Sequence, residues 1–231
     1  MPFFTPTEAG LFDPGGLEPM SYWAHLLIGT LGILAALTAL MSAKGRPVHR
    51  AAGFTFAVCV LVAGATAISF SFTRFAPPAV LSSLVALYAV ATSWLALRRA
   101  EPSVKRTEQA LTGIIAIATL LFSLAATRAI LVGIAPLADA LSVALVPIIL
   151  LVGDVLYFRN YDERGAIRLR RHVWRMSWAL AIAIRAPLFE LRDDFSLNPL
   201  AVNYLPLLLP PLVMLLFASK LGARRAEPRA T

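Results

Sequence analysis

Seven stretches of the chain are apolar almost without interruption, near residues 20–42, 51–73, 78–98, 108–133, 139–158, 172–190 and 203–220. Each has about the 20 residues that a helix needs to cross a bilayer core of roughly 30 Å. The apolar positions run continuously instead of alternating, which excludes a transmembrane β-barrel. The pattern predicts an all-α fold, a polytopic membrane helix bundle of seven transmembrane helices. The joining loops are too short to hold a soluble domain. Residues 1–19 are expected to form a short periplasmic N-terminal segment, 20–220 a single transmembrane domain, and 221–231 a basic cytoplasmic tail.

Composition strengthens the picture. Of 231 residues, 58% are hydrophobic and only 15% charged, and the mean hydropathy is +0.74; these values exclude an ordinary soluble domain, a disordered chain, a coiled coil and a nucleic-acid-binding arm. The one cysteine, Cys59, excludes an intrachain disulfide and a Cys-ligated metal cluster. A net charge of +8 in such a chain reports orientation and anionic lipid contact. Of 21 basic residues, 17 fall in the first, third and fifth loops, at the start of span six, and in the tail, while the opposite side carries Arg74 and Arg192 among several acids, Asp139 included. The positive-inside rule then predicts N-terminus out, C-terminus in, in a bacterial inner membrane. The first 19 residues carry Pro and Gly where a signal peptide would have an apolar core.

Polar groups at membrane depth are costly and mark candidate sites. They fall into two layers. The inner layer holds His49 at the start of span two, Asp154 near the end of span five, and His172, Trp174 and Arg175 at the start of span six. His172 and Arg175 are spaced i, i+3, which places them on one helical face. Asp154 is positioned by depth to pair with Arg175 or to orient the imidazole of His172. Two imidazoles at equal depth on facing helices could ligate the iron of a b-type haem; the same histidines could instead be interfacial residues bonded to loop carbonyls and lipid phosphates. A third use of this layer is an anion or lipid-headgroup pocket with the arginines as ligands.

The outer layer holds His25, Arg128, Arg185 and Glu190. Most of the bilayer separates His25 from His172, so three histidines supply one bis-His site at most. Arg128 lies near a helix end and can snorkel. Arg185 precedes Pro187, and Glu190 is its expected ion-pair partner. No Walker loop, GxSxG, HExxH, CxxC or dinucleotide fingerprint occurs, which points away from a conventional enzyme; a membrane oxidoreductase is the catalytic class left.

The segments HLLIGTLGILAALTALMSAKGRPVHRAAGFTF (25–56), LYAVATSWLALRR (87–99), GDVLYFRN (153–160), RLRRHVWRMSWALAIA (168–183) and LPLLLPPLVMLLF (205–217) carry a further signal. Together they resemble a bacterial family of integral membrane proteins grouped around domain of unknown function 2306. The resemblance implies a compact polytopic bundle in which His25, His49 and His172 match the family's three histidine positions, and it invites comparison with b-type membrane cytochromes. The chain departs from the pattern at Arg46-Pro47, where relatives often carry a second glycine.

Three functions follow as expectations. The first is an accessory or structural subunit of a respiratory or photosynthetic type of membrane complex, holding a cofactor or lipid. The second is electron transfer through haem b on His49 and His172, with exchange to quinone, and Asp154, Trp174 and Arg175 as supporting groups. The third, small-solute or lipid transport, ranks last because neither paired acids nor a discontinuous helix is evident in the sequence.

Overall fold

The computed structural model describes residues 19–74 and 76–226. The expected external segment lies outside them apart from Pro19, as do residues 227–231 of the tail. Eight α-helices follow in order: α1 (Pro19–Met41), α2 (Pro47–Arg74), α3 (Pro77–Leu97), α4 (Pro102–Leu131), α5 (Leu137–Arg159), α6 (Arg164–Asp194), α7 (Pro199–Tyr204) and α8 (Leu209–Ala226). Short 3-10 turns, Tyr161–Glu163 and Leu205–Leu208, lead into α6 and α8, and no strand occurs among the described residues.

The helix ends follow local chemistry. Five helices open on proline, whose fixed φ and missing N–H suit the first helical position. Gly133, with φ +75°, closes α4: its N–H donates to Ile130 O at 3.0 Å and the N–H of Ile134 to Ala129 O at 2.9 Å, a Schellman closure that favours glycine. Helices also extend past the apolar stretches that announce them. Thus α4 begins at Pro102 and α6 at Arg164, because a backbone that runs on past the apolar core keeps its hydrogen bonds by staying helical.

Among the described residues, six segments are long and apolar enough to cross a membrane: α1, α2 to Thr73, α3, α4, α5 and Pro199–Ala218. These fit an all-helical, multi-pass membrane bundle. The last of them corrects one expectation, because it is discontinuous: α7 stops at Tyr204, a 3-10 turn intervenes, and α8 starts at Leu209. Pro206, Pro210 and Pro211 cannot supply the N–H groups that one unbroken helix would need there.

Sequential helices pack on one another from α1 to α5, and α6 lies against α3, α8 and α1. Close approach comes from small residues, with Ala57, Ala89, Ala179 and Ala181 fully buried. Midway along α6, Trp178 to Ile182 are all buried. They join Val85 and Ala86 of α3 and Val146 and Leu150 of α5 in an apolar layer. Polar clusters lie on either side of that layer.

Candidate functional site

At the His49 end, α6 presents Arg164, Arg171 and Arg175, all buried. Their spacing of seven and four residues puts them on one face. They meet two fully buried acids, Glu108 on α4 and Asp154 on α5. Asp154 Oδ1 accepts from Arg171 Nη2 at 2.7 Å and from Arg175 Nη2. Its Oδ2 accepts from the Tyr88 hydroxyl and from Thr112 Oγ1, the latter at 3.3 Å. Arg175 Nη2 also donates to Leu150 O at 3.1 Å.

Glu108 is tied in through α5 and α6. Arg171 Nε lies 3.8 Å from Glu108 Oε1, and the Tyr157 hydroxyl donates to Glu108 at 3.2 to 3.3 Å. Arg164 Nε donates to the Tyr157 oxygen at 2.7 Å, and the guanidinium of Arg171 lies 3.8 Å from the Tyr157 ring centroid. This network clamps α3, α4, α5 and α6 together. Three guanidiniums against two carboxylates leave a surplus positive charge. Arg164 Nη1 and Arg175 Nη1 are buried without a hydrogen-bond partner among the described residues.

The histidines at this end occupy a different face. His49 Nδ1 lies 2.9 Å from Ala39 O, in the last turn of α1. A carbonyl only accepts, so Nδ1 carries the proton and Nε2 keeps its lone pair in the neutral ring. His172 Nδ1 lies 2.7 Å from Ser93 Oγ on α3. Trp174 packs edge-on to Trp178, centroids 5.5 Å apart.

The opposite end holds a second clamp. Arg185 Nη2 donates to Ser142 Oγ at 2.6 Å and to Asn203 Oδ1 at 3.3 Å, and its Nη1 donates to Ser142 O at 3.2 Å. Asn203 Nδ2 donates to Asp139 Oδ1 at 2.6 Å, and Arg192 Nη1 lies 3.7 Å from Asp139 Oδ2. Asn203 of α7 thus joins α5 to α6. Beside this clamp a cavity of about 120 Å³ opens between α1, α2, the start of α3 and Glu190 of α6, with His25 in its wall. Arg128 is exposed in the last turn of α4, where a basic side chain complements the helix dipole.

Several expectations need correction. Asp154 pairs with Arg175 as expected, but His172 turns to Ser93; Arg171 is the second partner. His172 follows Arg171 by one residue, about 100° round the helix. Arg185 does not pair with Glu190, since a five-residue step places them about 140° apart. Arg164, Arg171 and Arg175, counted with the loop charges, are buried, and so is Asp139. Glu108 and Asp154 are two buried acids joined through Arg171. The sequence reading passed over Glu108, Tyr88, Ser93, Ser142 and Asn203. Only the arginine periodicity on α6, and an acid four residues before Thr112 at the head of an apolar run, could have signalled the larger cluster. No family model matches the chain, and neither a curated protein nor a solved structure does.

Proposed function

We propose that this chain is a seven-span protein of the bacterial inner membrane, N-terminus outside and C-terminus in the cytoplasm, serving as an accessory subunit of a larger membrane complex. The span that length and hydropathy leave out is α6, span six. Its 31 residues extend about 46 Å at 1.5 Å per residue, more than a bilayer core of roughly 30 Å. Its charges face protein partners, so hydropathy alone undercounts it. Removing the buried Arg164, Arg171 and Arg175 from the loop count leaves the basic asymmetry standing. A cytoplasm-only fluorescent fusion that stayed dark at the C-terminus, with a periplasmic phosphatase fusion active there, would overturn the topology.

One observation carries the accessory reading: at both ends the buried charges engage one another across helices, on either side of an apolar layer. Such an arrangement fixes helix positions and offers no continuous polar path for a solute. The surplus positive charge at the His49 end favours anionic lipid headgroups as neighbours there. Extraction in mild detergents and native electrophoresis test the reading. Migration with a stoichiometric membrane partner is expected, and a lone monomer in every mild detergent overturns it.

A second reading is electron transfer through a b-type haem on His49 and His172. It is favoured by the way each Nδ1 is engaged, by Ala39 O and by Ser93, which orients the rings and leaves each Nε2 available, as ligating histidines require. One-electron chemistry is what a bound haem would supply, with quinone as the exchange partner. Asp154 and Arg175 are committed to each other and drop out of its supporting set. Purified protein should then show a visible band sharpened by dithionite and lost in His172→Ala. A colourless preparation from haem-replete cells removes this reading.

A further inference from the structure

The cavity at the His25 end has an unusual polar complement. Its apolar wall is formed by Leu26, Ala67, Phe70 and three neighbours of α1 and α3, among them the ring of Tyr22, and His25, Ser71 and Glu190 are its other polar residues. What they offer follows from where each hydrogen goes. Thr66 Oγ1 lies 3.0 Å from both Val62 O and Ala63 O, so its single hydrogen is directed into its own helix turn. The 2.7 Å contact between Thr66 Oγ1 and His25 Nδ1 is therefore an N–H donated by the imidazole. Thr66 does not line the cavity. The polar atom that the ring has left for the cavity is Nε2, with a lone pair and no partner among the described residues.

Ser71 points the same way. Its hydroxyl hydrogen goes to Ala67 O at 2.8 Å, leaving Oγ as an acceptor. The walls are apolar and aromatic; the Phe70 ring meets His25 edge-on, centroids 5.5 Å apart, and holds the imidazole in place. A volume of about 120 Å³ is close to the roughly 150 Å³ that accommodates a benzene ring. His25 Nε2 and Ser71 Oγ thus ask for a donor, and the walls for a flat apolar body. A neutral hydroxyl suits such a site better than an ammonium group, whose transfer from water into apolar surroundings costs far more.

We infer that this cavity is a binding site for a small aromatic hydroxy compound, whose hydroxyl donates to His25 Nε2 while its ring lies between α1, α2 and α3. The site lies at the opposite end from His49 and His172 and does not depend on either reading above.

The test uses the full chain in lipid nanodiscs with nitrogen-15 histidine. Only three histidines occur, so the spectrum holds three rings. Wild-type His25 should show the Nδ1–H tautomer. Phenol should move its Nε2 resonance in a saturable way and leave His49 and His172 unmoved, whereas anisole, which has the shape but no hydroxyl, should not. Two variants, Ala67→Leu, which fills the cavity and keeps the His25 contact to Thr66, and His25→Phe, which removes the acceptor, should each weaken phenol binding roughly tenfold. Direct phenol saturation by calorimetry reads the latter. An Nε2–H tautomer, equal shifts with phenol and anisole, shifts at all three rings from partitioning into lipid, or saturable binding of benzylammonium in place of phenol would each overturn the proposal.

Discussion

Replacing Asp154 by Asn keeps the side-chain shape and removes one charge. Asp154 is fully buried and accepts from four side chains: Arg171, Arg175, Tyr88 and Thr112. The amide retains one acceptor oxygen, and Tyr88 can turn its hydroxyl to accept from the new N–H. The arginines have no such escape. Arg175 is 1% exposed, and the remaining acid, Glu108, reaches Arg171 only at 3.8 Å. Leaving a buried cation without its counter-ion costs about 3–5 kcal/mol, a large part of a typical total stability of about 5–15 kcal/mol. At about 2–4 °C per kcal/mol for a chain of this length, the melting midpoint should fall by roughly 6–20 °C. The chain supplies its own reporter, because its single cysteine, Cys59, is buried; a thiol-reactive dye in detergent follows its exposure on heating. A midpoint within about 2 °C of wild type would falsify the clamp, on the same scale. Because His172 is held by Ser93 and not by Asp154, the variant should leave any signal from the His49 and His172 pair unchanged below its melting point.

Three further outcomes are expected. A β-carbon added at Gly32 would lie 2.9 Å from Cys59 Cβ, whereas one at Gly29 meets nothing within 4 Å; Gly32→Ala should therefore cost about 1–3 kcal/mol by overpacking α1 on α2, while Gly29→Ala stays near neutral in the same melting assay. Asn203→Ala removes the donor to Asp139 and the acceptor for Arg185, and a loss of about 1–3 kcal/mol should appear, with faster proteolysis between α6 and α7. Gly133→Ala forces a β-carbon into the left-handed region and should lower stability by about 1 kcal/mol, whereas Gly133→Asn should lose less, since asparagine tolerates that region.

How much of this could be read from the sequence varies with the physical scale of the signal. Each apolar stretch contains a helix because a run of about 20 apolar residues satisfies a constraint set by the bilayer. The prolines before α2, α3 and α4 mark starts for equally local reasons. Pro206, Pro210 and Pro211 announced a disturbance, but whether it is a kink or a break depends on what packs beside it. The inner cluster was half legible. Depth alone brought Arg175 to Asp154, yet Arg164 and Arg171 passed for loop charges because they adjoin a loop in sequence. Their heptad-like spacing with Arg175 was the overlooked sign that they share a face. Which way His172 turns depends on the rotation of α6 about its own axis, and no single residue encodes that. The three histidines stood out as polar groups at membrane depth; their hydrogen-bond partners had to come from packing.

All four buried arginines of the two clamps belong to α6, and that distribution bears on how the chain is made. At the middle of an isolated helix, each arginine costs about 2.5–3.5 kcal/mol to insert. The acids that answer Arg171 and Arg175 sit on α4 and α5, which leave the ribosome earlier. On the seven-span reading, α6 is a helix that the membrane alone would reject and that its elder neighbours must receive. A chain whose α4 and α5 carry Glu108→Gln and Asp154→Asn should strand α6 on the cytoplasmic side long enough for a protease to cut it during synthesis, although both variants keep every apolar stretch intact. Equal protection of α6 in the two chains would show that it enters unaided. Order of synthesis thereby becomes part of the information that folds this bundle, and its quality control has one obvious segment to inspect.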